Sequence, residues 1–188
     1  MAAWKYLVLI TEYMSKAEQA TLLNIEKATV TSSTNGDYAA GVYVMSSVNA
    51  TYSPNISLSV DGGSLTTSAS EGNDGIQFYV GSSQATGATT SLTVSENAIV
   101  DARNGGISAS RISVTLPTPT PTGDNRSGIV FDGSTDVYGT VVLQNDLTIG
   151  AGETLTVPNG SSLNCNGNLT NNGTISAIAT AKWKVMEA

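Results

Sequence analysis

The residue types that most often carry chemistry are scarce in this chain. It has no histidine and a single cysteine, Cys165. A Ser–His or Cys–His triad and a histidine zinc site are therefore excluded. Cys165 alternates with Leu163 in a strand-like pattern, which places the thiol inside rather than at a reactive surface. What remains are carboxylates, amides and tyrosines. Glu71 with Asp74, and Asp132 with Asp136, are spaced as pairs that can serve as acid and base in glycoside hydrolysis. With Asn73 and Ser134 the same residues make two oxygen clusters suited to calcium. Both strings, EGNDG and FDGSTD, also read as turns in which Asp or Asn caps its own backbone and Gly takes positive φ. No EF-hand or nonapeptide calcium repeat accompanies them, so the turn reading takes precedence. The expected cofactor set is none, with calcium as the one candidate.

Tyrosines are the other resource, because sugar rings stack on aromatic faces. Tyr38, Tyr43, Tyr52, Phe78 and Tyr79 all fall in the first half of the chain. Tyr43, Tyr79 and Tyr52 are the candidate ligand-binding residues. The alternative reading of these rings is packing in a core or stacking in a ladder.

Charge narrows the partners. The formal net charge is −7 over 188 residues, and only 12% of residues are charged. Nucleic-acid affinity rests on clustered Lys and Arg, so a nucleic-acid partner is not expected. All five lysines lie near the ends, at positions 5, 16, 27, 182 and 184. The apolar run Tyr6–Ile10 is too short to span a membrane and poor as the core of a signal peptide, so no membrane insertion is expected. One cysteine permits no internal disulfide, which suits a cytosol or a bacterial surface protein that avoids disulfides.

The elements that must position these residues are short strands. From Leu147 to Ser176, apolar Leu147, Ile149, Leu155, Val157, Leu163, Leu169 and Ile175 are separated by Gly, Asn, Pro and Ser turns, a period-two signature. Earlier in the chain a longer repeat appears. Leu23, Ile25 and Val30 recur as Leu58, Val60 and Leu65, then as Leu92, Val94 and Ile99. Gly41-Val42 returns as Gly75-Ile76 and Gly106-Ile107. Ile112 and Val114 follow Leu92 and Val94 by twenty residues, which suggests a bare layer of about that length. Tyr52–Asn55 and Ser82–Thr90 read as loop excursions. PTPTPTGDNRSG, residues 117–128, reads as a protruding loop, since Pro cannot donate to a central ladder.

The expected fold is all-β: a right-handed parallel β-helix, or solenoid, over residues 21–181. Residues 1–20 form a cap, read as helical over roughly 16–22 from Ser15 and Glu18, although the same apolar run also fits an edge strand. Residues 182–188 form a tail. Two abutting subdomains are the alternative to one continuous domain.

The segments DVYGTVVLQNDLTIGAGETLTVPNGSSLNCNGNLTNNGTI, VDGGSLTTSASEGNDGI and SENAIVDARNGGISA resemble parallel β-helix repeats of bacterial, Firmicutes-type cell-surface proteins, adhesin-like or carbohydrate-binding. The resemblance implies an extracellular or cell-surface setting, a polysaccharide or host-surface glycan as partner, and a non-enzymatic role. Similar runs occur in phage fibres, so a structural subunit that acts by self-association is the alternative. The differing ends and the lack of a signal-like run favour that alternative somewhat. A degenerate polysaccharide lyase is the third reading, with Arg103, Arg111 and Arg126 as the only basic residues available to it in the body of the chain, between the lysine-bearing ends. An ice-binding threonine file, suggested by Thr148 and Thr156, gives way to the simpler reading that Thr suits exposed strand positions.

Overall fold

The structure is a computed structural model that describes residues 7–10, 20–34, 40–46, 55–81, 88–110, 114–115, 126–132, 134–177 and 182–185. Every regular element among them is a strand. In the first half these are β1 (Leu7–Ile10), β2 (Ala20–Thr34), β3 (Ala40–Ser46), β4 (Asn55–Ala69), β5 (Asp74–Val80), β6 (Thr89–Ser95), β7 (Ala98–Asp101), β8 (Ile107–Ser110) and β9 (Val114–Thr115). In the second half they are β10 (Gly128–Phe131), β11 (Thr135–Tyr138), β12 (Thr140–Leu143), β13 (Leu147–Ile149), β14 (Thr154–Val157), β15 (Ser162–Cys165), β16 (Leu169–Asn171), β17 (Thr174–Ala177) and β18 (Lys182–Val185).

The repeat is visible as ladder register. Leu23, Ile25 and Val30 of β2 lie beside Leu58, Val60 and Leu65 of β4, each pairing parallel and 35 residues on (58 − 23). Leu58 and Val60 in turn lie beside Leu92 and Val94 of β6. On a second sheet, in the order β1-β3-β5-β8, Val42 pairs with Ile76 and Ile76 with Ile107. Leu58, Val60, Leu92, Val42 and Ile76 are fully or almost fully buried, so each row of aliphatic side chains meets a like row above and below.

β2 and β4 are long because each turns a corner. Gly62 (φ 68) and Gly63 (φ 72) reverse the inward phase of β4, from Ile56, Leu58 and Val60 to Leu65 and Thr67. A Cβ on Gly63 would fall on the backbone of Ala28, so this corner requires glycine. The neighbouring corners are made by Lys27 (φ 47) and by Glu96 (φ 50) with Asn97 (φ 62). The last of these holds one residue more, and it corrects the expected register. Leu65 pairs with Val100 rather than Ile99, and Ile99 pairs instead with Ser64 and Ile129. Likewise Val114 pairs with Thr90, 24 residues away (114 − 90), and not with Val94. Ile112 lies outside the described residues.

In the second half the layer is shorter. β11, β14 and β17 pair in parallel at a spacing of 20 residues (155 − 135 and 174 − 154). β12 pairs with β15, and β13 with β16, at 22 (162 − 140 and 169 − 147). The expected run Val137–Leu143 splits at Gly139, which has φ 62, and the run Leu169–Ile175 splits at Asn172–Gly173. These breaks distribute three short strands over three sheets.

Among the described residues one pairing departs from the all-parallel expectation: β10 and β11 are antiparallel, Phe131 opposite Thr135. The turn between them is far too short for a parallel crossover, which needs about a dozen residues or more. The buried apolar side chains also fall into two clusters. Leu23 through Ala102, with Val130 and Tyr138, make the first. Ile129, Phe131 and Val137 through Cys165 make the second. All four residues of β10 are buried, with Val130 in one cluster and Ile129 and Phe131 in the other.

The expected N-terminal helix is not formed where it is described: Ala20, Thr21 and Leu22 open β2 and pair with Asn55, Ile56 and Ser57. The rest of that stretch, residues 16–19, lies outside the described residues. Leu7–Ile10 extends the second sheet, Leu7 beside Val42, because four consecutive aliphatic residues suit a sheet edge with an aliphatic neighbour. Residues 47–54, 82–87 and 116–125, which contain most of both excursions and of the proline loop, also lie outside the described residues.

Candidate functional site

The outer face of β3 and β5 brings together two of the three tyrosines singled out above. Val42, Val44, Ile76 and Phe78 point inward and are fully buried, which sends Tyr43, Met45, Gln77 and Tyr79 outward. Register places Tyr43 opposite Gln77 and Met45 opposite Tyr79. The two tyrosines are therefore diagonal neighbours, with ring centroids 5.6 Å apart and planes inclined by 32°. Both are half-buried. Burial raises the Tyr43 phenol above its usual pKa, and Tyr79 and Asp74 push it the same way, so it stays a neutral hydroxyl. Beside it, Asp74 Oδ2 accepts a hydrogen bond of 2.9 Å from Gln77 Nε2. Two ring faces, a carboxamide and a carboxylate thus share one small, firmly backed area. Phe78 is core and takes no part; Tyr38 and Tyr52 lie outside the described residues.

The candidate calcium residues are engaged in turns. Asn73 Nδ2 donates to Ser70 Oγ at 2.8 Å, and Asn73 N to Ser70 O at 3.0 Å. Glu71 is exposed at that turn, and the Asp74 carboxylate faces Gln77 instead. Asp132 Oδ1 accepts from Ser134 N at 3.2 Å and from Ser134 Oγ at 3.1 Å, an Asx turn closing the β10–β11 hairpin. Burial raises the Asp136 carboxyl above the usual range and Asp132 adds to it, which disfavours charge there. Among the described residues no group of three or more Cys, Asp or Glu side chains is placed to hold a metal ion. Cys165 is buried, and burial pushes its thiol pKa up, away from a reactive thiolate.

A constellation that sequence reasoning missed surrounds Arg103. Its Nη2 lies 2.6 Å from Asp101 Oδ2 and its Nη1 3.1 Å from Glu153 Oε2. The guanidinium also sits 4.3 Å above the Phe131 ring. Asp101 and Arg103 are two apart on one strand end, a local signal for a pair. Glu153 is fifty residues away (153 − 103), and nothing in the sequence points to it. The hydrogen bond that Arg103 donates to the Asp101 carboxylate is the largest influence raising the Arg103 pKa. A proton-abstracting base requires the opposite shift, so Arg103 acts here as a fixed cation. Thr148 pairs with Thr170, while Thr156 pairs with Asp136 and Ser176 on another sheet, so the two threonines share no file.

No known protein family, curated protein or solved structure matches the chain.

Proposed function

We propose that the protein is a non-enzymatic extracellular module, wound as a right-handed parallel β-helix, that binds glycans at a cell surface. The reading of the winding is supported by parallel ladders recurring at 34–35 and 20–22 residues, and by the strong right-handed preference of parallel crossovers. The resemblance of its repeats to adhesin-like surface proteins supports the setting. The observation that carries the function is the Tyr43–Tyr79 pair, two neighbouring ring faces held outward by a fully buried backing. Stacked sugars take their affinity from such faces, and polar groups at the edge, here Gln77 and Asp74, orient hydroxyls. Lack of histidine and the pinned Arg103 support a role without catalysis.

A glycan array probed with the intact chain tests this. Binding is expected, and Tyr43→Ala and Tyr79→Ala are each expected to weaken it about tenfold, the equivalent of one stacking contact. Unchanged binding by the double variant, with the fold intact, would overturn the reading.

An assembly role as a fibre subunit is the second reading. It is favoured by β2, which pairs with β4 along fourteen positions and, among the described residues, with no strand on its other edge. A concentration-independent trimer or a filament on a sizing column supports it; a monomer at all concentrations excludes it.

A further inference from the structure

The charge around the tyrosine shelf narrows the kind of glycan, given the glycan reading above, on which this step rests. Tyrosine faces carry the negative end of the ring quadrupole. Asp74 adds a formal negative charge at the edge of the shelf, and its Oδ2 is steadied by Gln77. Its field is felt at the Tyr43 hydroxyl, where it helps to raise that group's pKa. The described cations of this half are engaged elsewhere. The described part of the first half contains two cations, Lys27 and Arg103. Lys27 Nζ is 3.7 Å from Glu96, and Arg103 is shared between Asp101 and Glu153. Glu71 lies in the turn that leads into β5, and the chain as a whole carries a net charge of −7.

A uronate, sulfate or sialate brought to this face meets ring faces and the Asp74 carboxylate, which disfavour a second negative charge. A neutral sugar gains stacking and hydrogen bonds from its hydroxyls. A sugar bearing a free ammonium gains stacking, a cation–π contact and a charge-assisted hydrogen bond to Asp74. We infer that the shelf selects amine-bearing glycans, polymers of 2-amino-2-deoxy sugars with unacetylated nitrogen. Tyr43 and Tyr79 receive the apolar faces of the rings, and Asp74 receives the ammonium.

Calorimetry of the full chain with oligosaccharides of one length tests this, using glucosamine, N-acetylglucosamine and galacturonate forms. The glucosamine form is expected to bind about tenfold more tightly than the acetylated form, as one charge-assisted contact gives, with the preference shrinking as salt is raised. Asp74→Asn, which keeps an acceptor for Gln77, is expected to abolish that preference. Affinity for the acetylated form is expected to fall less than that for the glucosamine form, since Asp74→Asn keeps a neutral acceptor, and an unchanged near-UV circular dichroism spectrum reports an intact shelf. Equal binding of the glucosamine and acetylated forms, or tighter binding of the galacturonate, overturns the inference and leaves the glycan reading standing. A preference that survives Asp74→Asn overturns the role of Asp74. No binding of any of the three forms, together with a blank array, removes both.

Discussion

The two halves of the molecule solve the same packing problem with layers of different length. In the first half the layers of β2 to β7 take 34 or 35 residues and run through two sheets, with corners inside β2 and β4, and the offset shortens to 31 at β8 (107 − 76) and 24 at β9 (114 − 90). In the second it takes 20 or 22 residues and divides among three short strands. Polar side chains follow each local period. Ser91 Oγ donates to Ser57 Oγ at 3.1 Å and Ser95 Oγ to Asp61 Oδ1 at 2.6 Å, both 34 residues apart. Asn166 Nδ2 donates to Gln144 Oε1 at 3.2 Å, and Asn168 N to Asp146 Oδ1 at 2.8 Å, both 22 apart. What is preserved between the halves is the straight aliphatic segment that faces inward. Layer length is free to change because extra residues enter at corners and loops, where no ladder partner is lost. Among the described residues the shortening begins at β8 and β9, and the chain then reverses direction at the β10–β11 hairpin, where β10 is buried on both faces.

That contrast can be broken most strongly at the junction. Phe131→Ala empties a fully buried ring site and removes the surface beneath Arg103; it is expected to cost about 3–5 kcal/mol. Amide exchange should quicken in β7 as well as in β11 and β14, since β10 joins both clusters. Leu58→Ala and Leu155→Ala, each about 2–5 kcal/mol, sharpen the contrast from either side. Exchange should rise mainly in β2, β4 and β6 for the first, and in β11, β14 and β17 for the second. Uniform acceleration across both halves in either variant would mean that the clusters form one cooperative unit.

A smaller effect follows from Tyr138, which lies in the first cluster although it belongs to the second run of strands. Burial, with Asp136 and Asp132, pushes its phenol from 10.0 up to about 12. Between those values the folded protein keeps a proton that the unfolded chain has lost. Stability is therefore full below pH 10.0 and declines as pH rises through about 12. Tyr138→Phe should remove a loss of about 2–3 kcal/mol over that window, as read from urea midpoints against pH.

Gly139→Ala comes next. With φ 62 and the Arg126 carbonyl oxygen where a Cβ would stand, it is expected to cost about 1–3 kcal/mol. Gly72→Ala, also at positive φ but facing open space, should cost less, and melting temperatures will rank the two. Lys27→Gly is the smallest. It relieves a left-handed lysine at the first-half corner, loses only an exposed ion pair, and should stabilise by about 1 kcal/mol or less.

The ladders were legible because burial forces a period of two on each strand and a fixed offset on each layer. Leu23, Leu58 and Leu92 announced their own neighbours, and Val42 and Ile76 did the same. Ile99 misled because one extra corner residue at Glu96–Asn97 flips the following strand to its other face, and a single residue leaves no mark on composition. The antiparallel return at Asp132–Ser134 was written as a turn, but its direction depends on what β10 packs against. Tyr43 and Tyr79 were found because the repeat offset nearly superimposes them. The Arg103–Glu153 contact was not, because surface pairs between distant segments carry no periodicity.

The even spacing of Leu23, Leu58 and Leu92 has an evolutionary corollary. An in-frame loss of the codons for residues 58–91 would seat Leu92 directly on Leu23, and the return strand Ile107–Ser110 on Val42–Met45. Leu23, Ile25 and Val42 would again meet aliphatic neighbours in Leu92, Val94 and Ile107, while Val44 would exchange Phe78 for Ala109. Gene slippage in whole multiples of that period thus keeps the aliphatic rows in register, whereas a change of a single codon inside a strand shifts them to the other face.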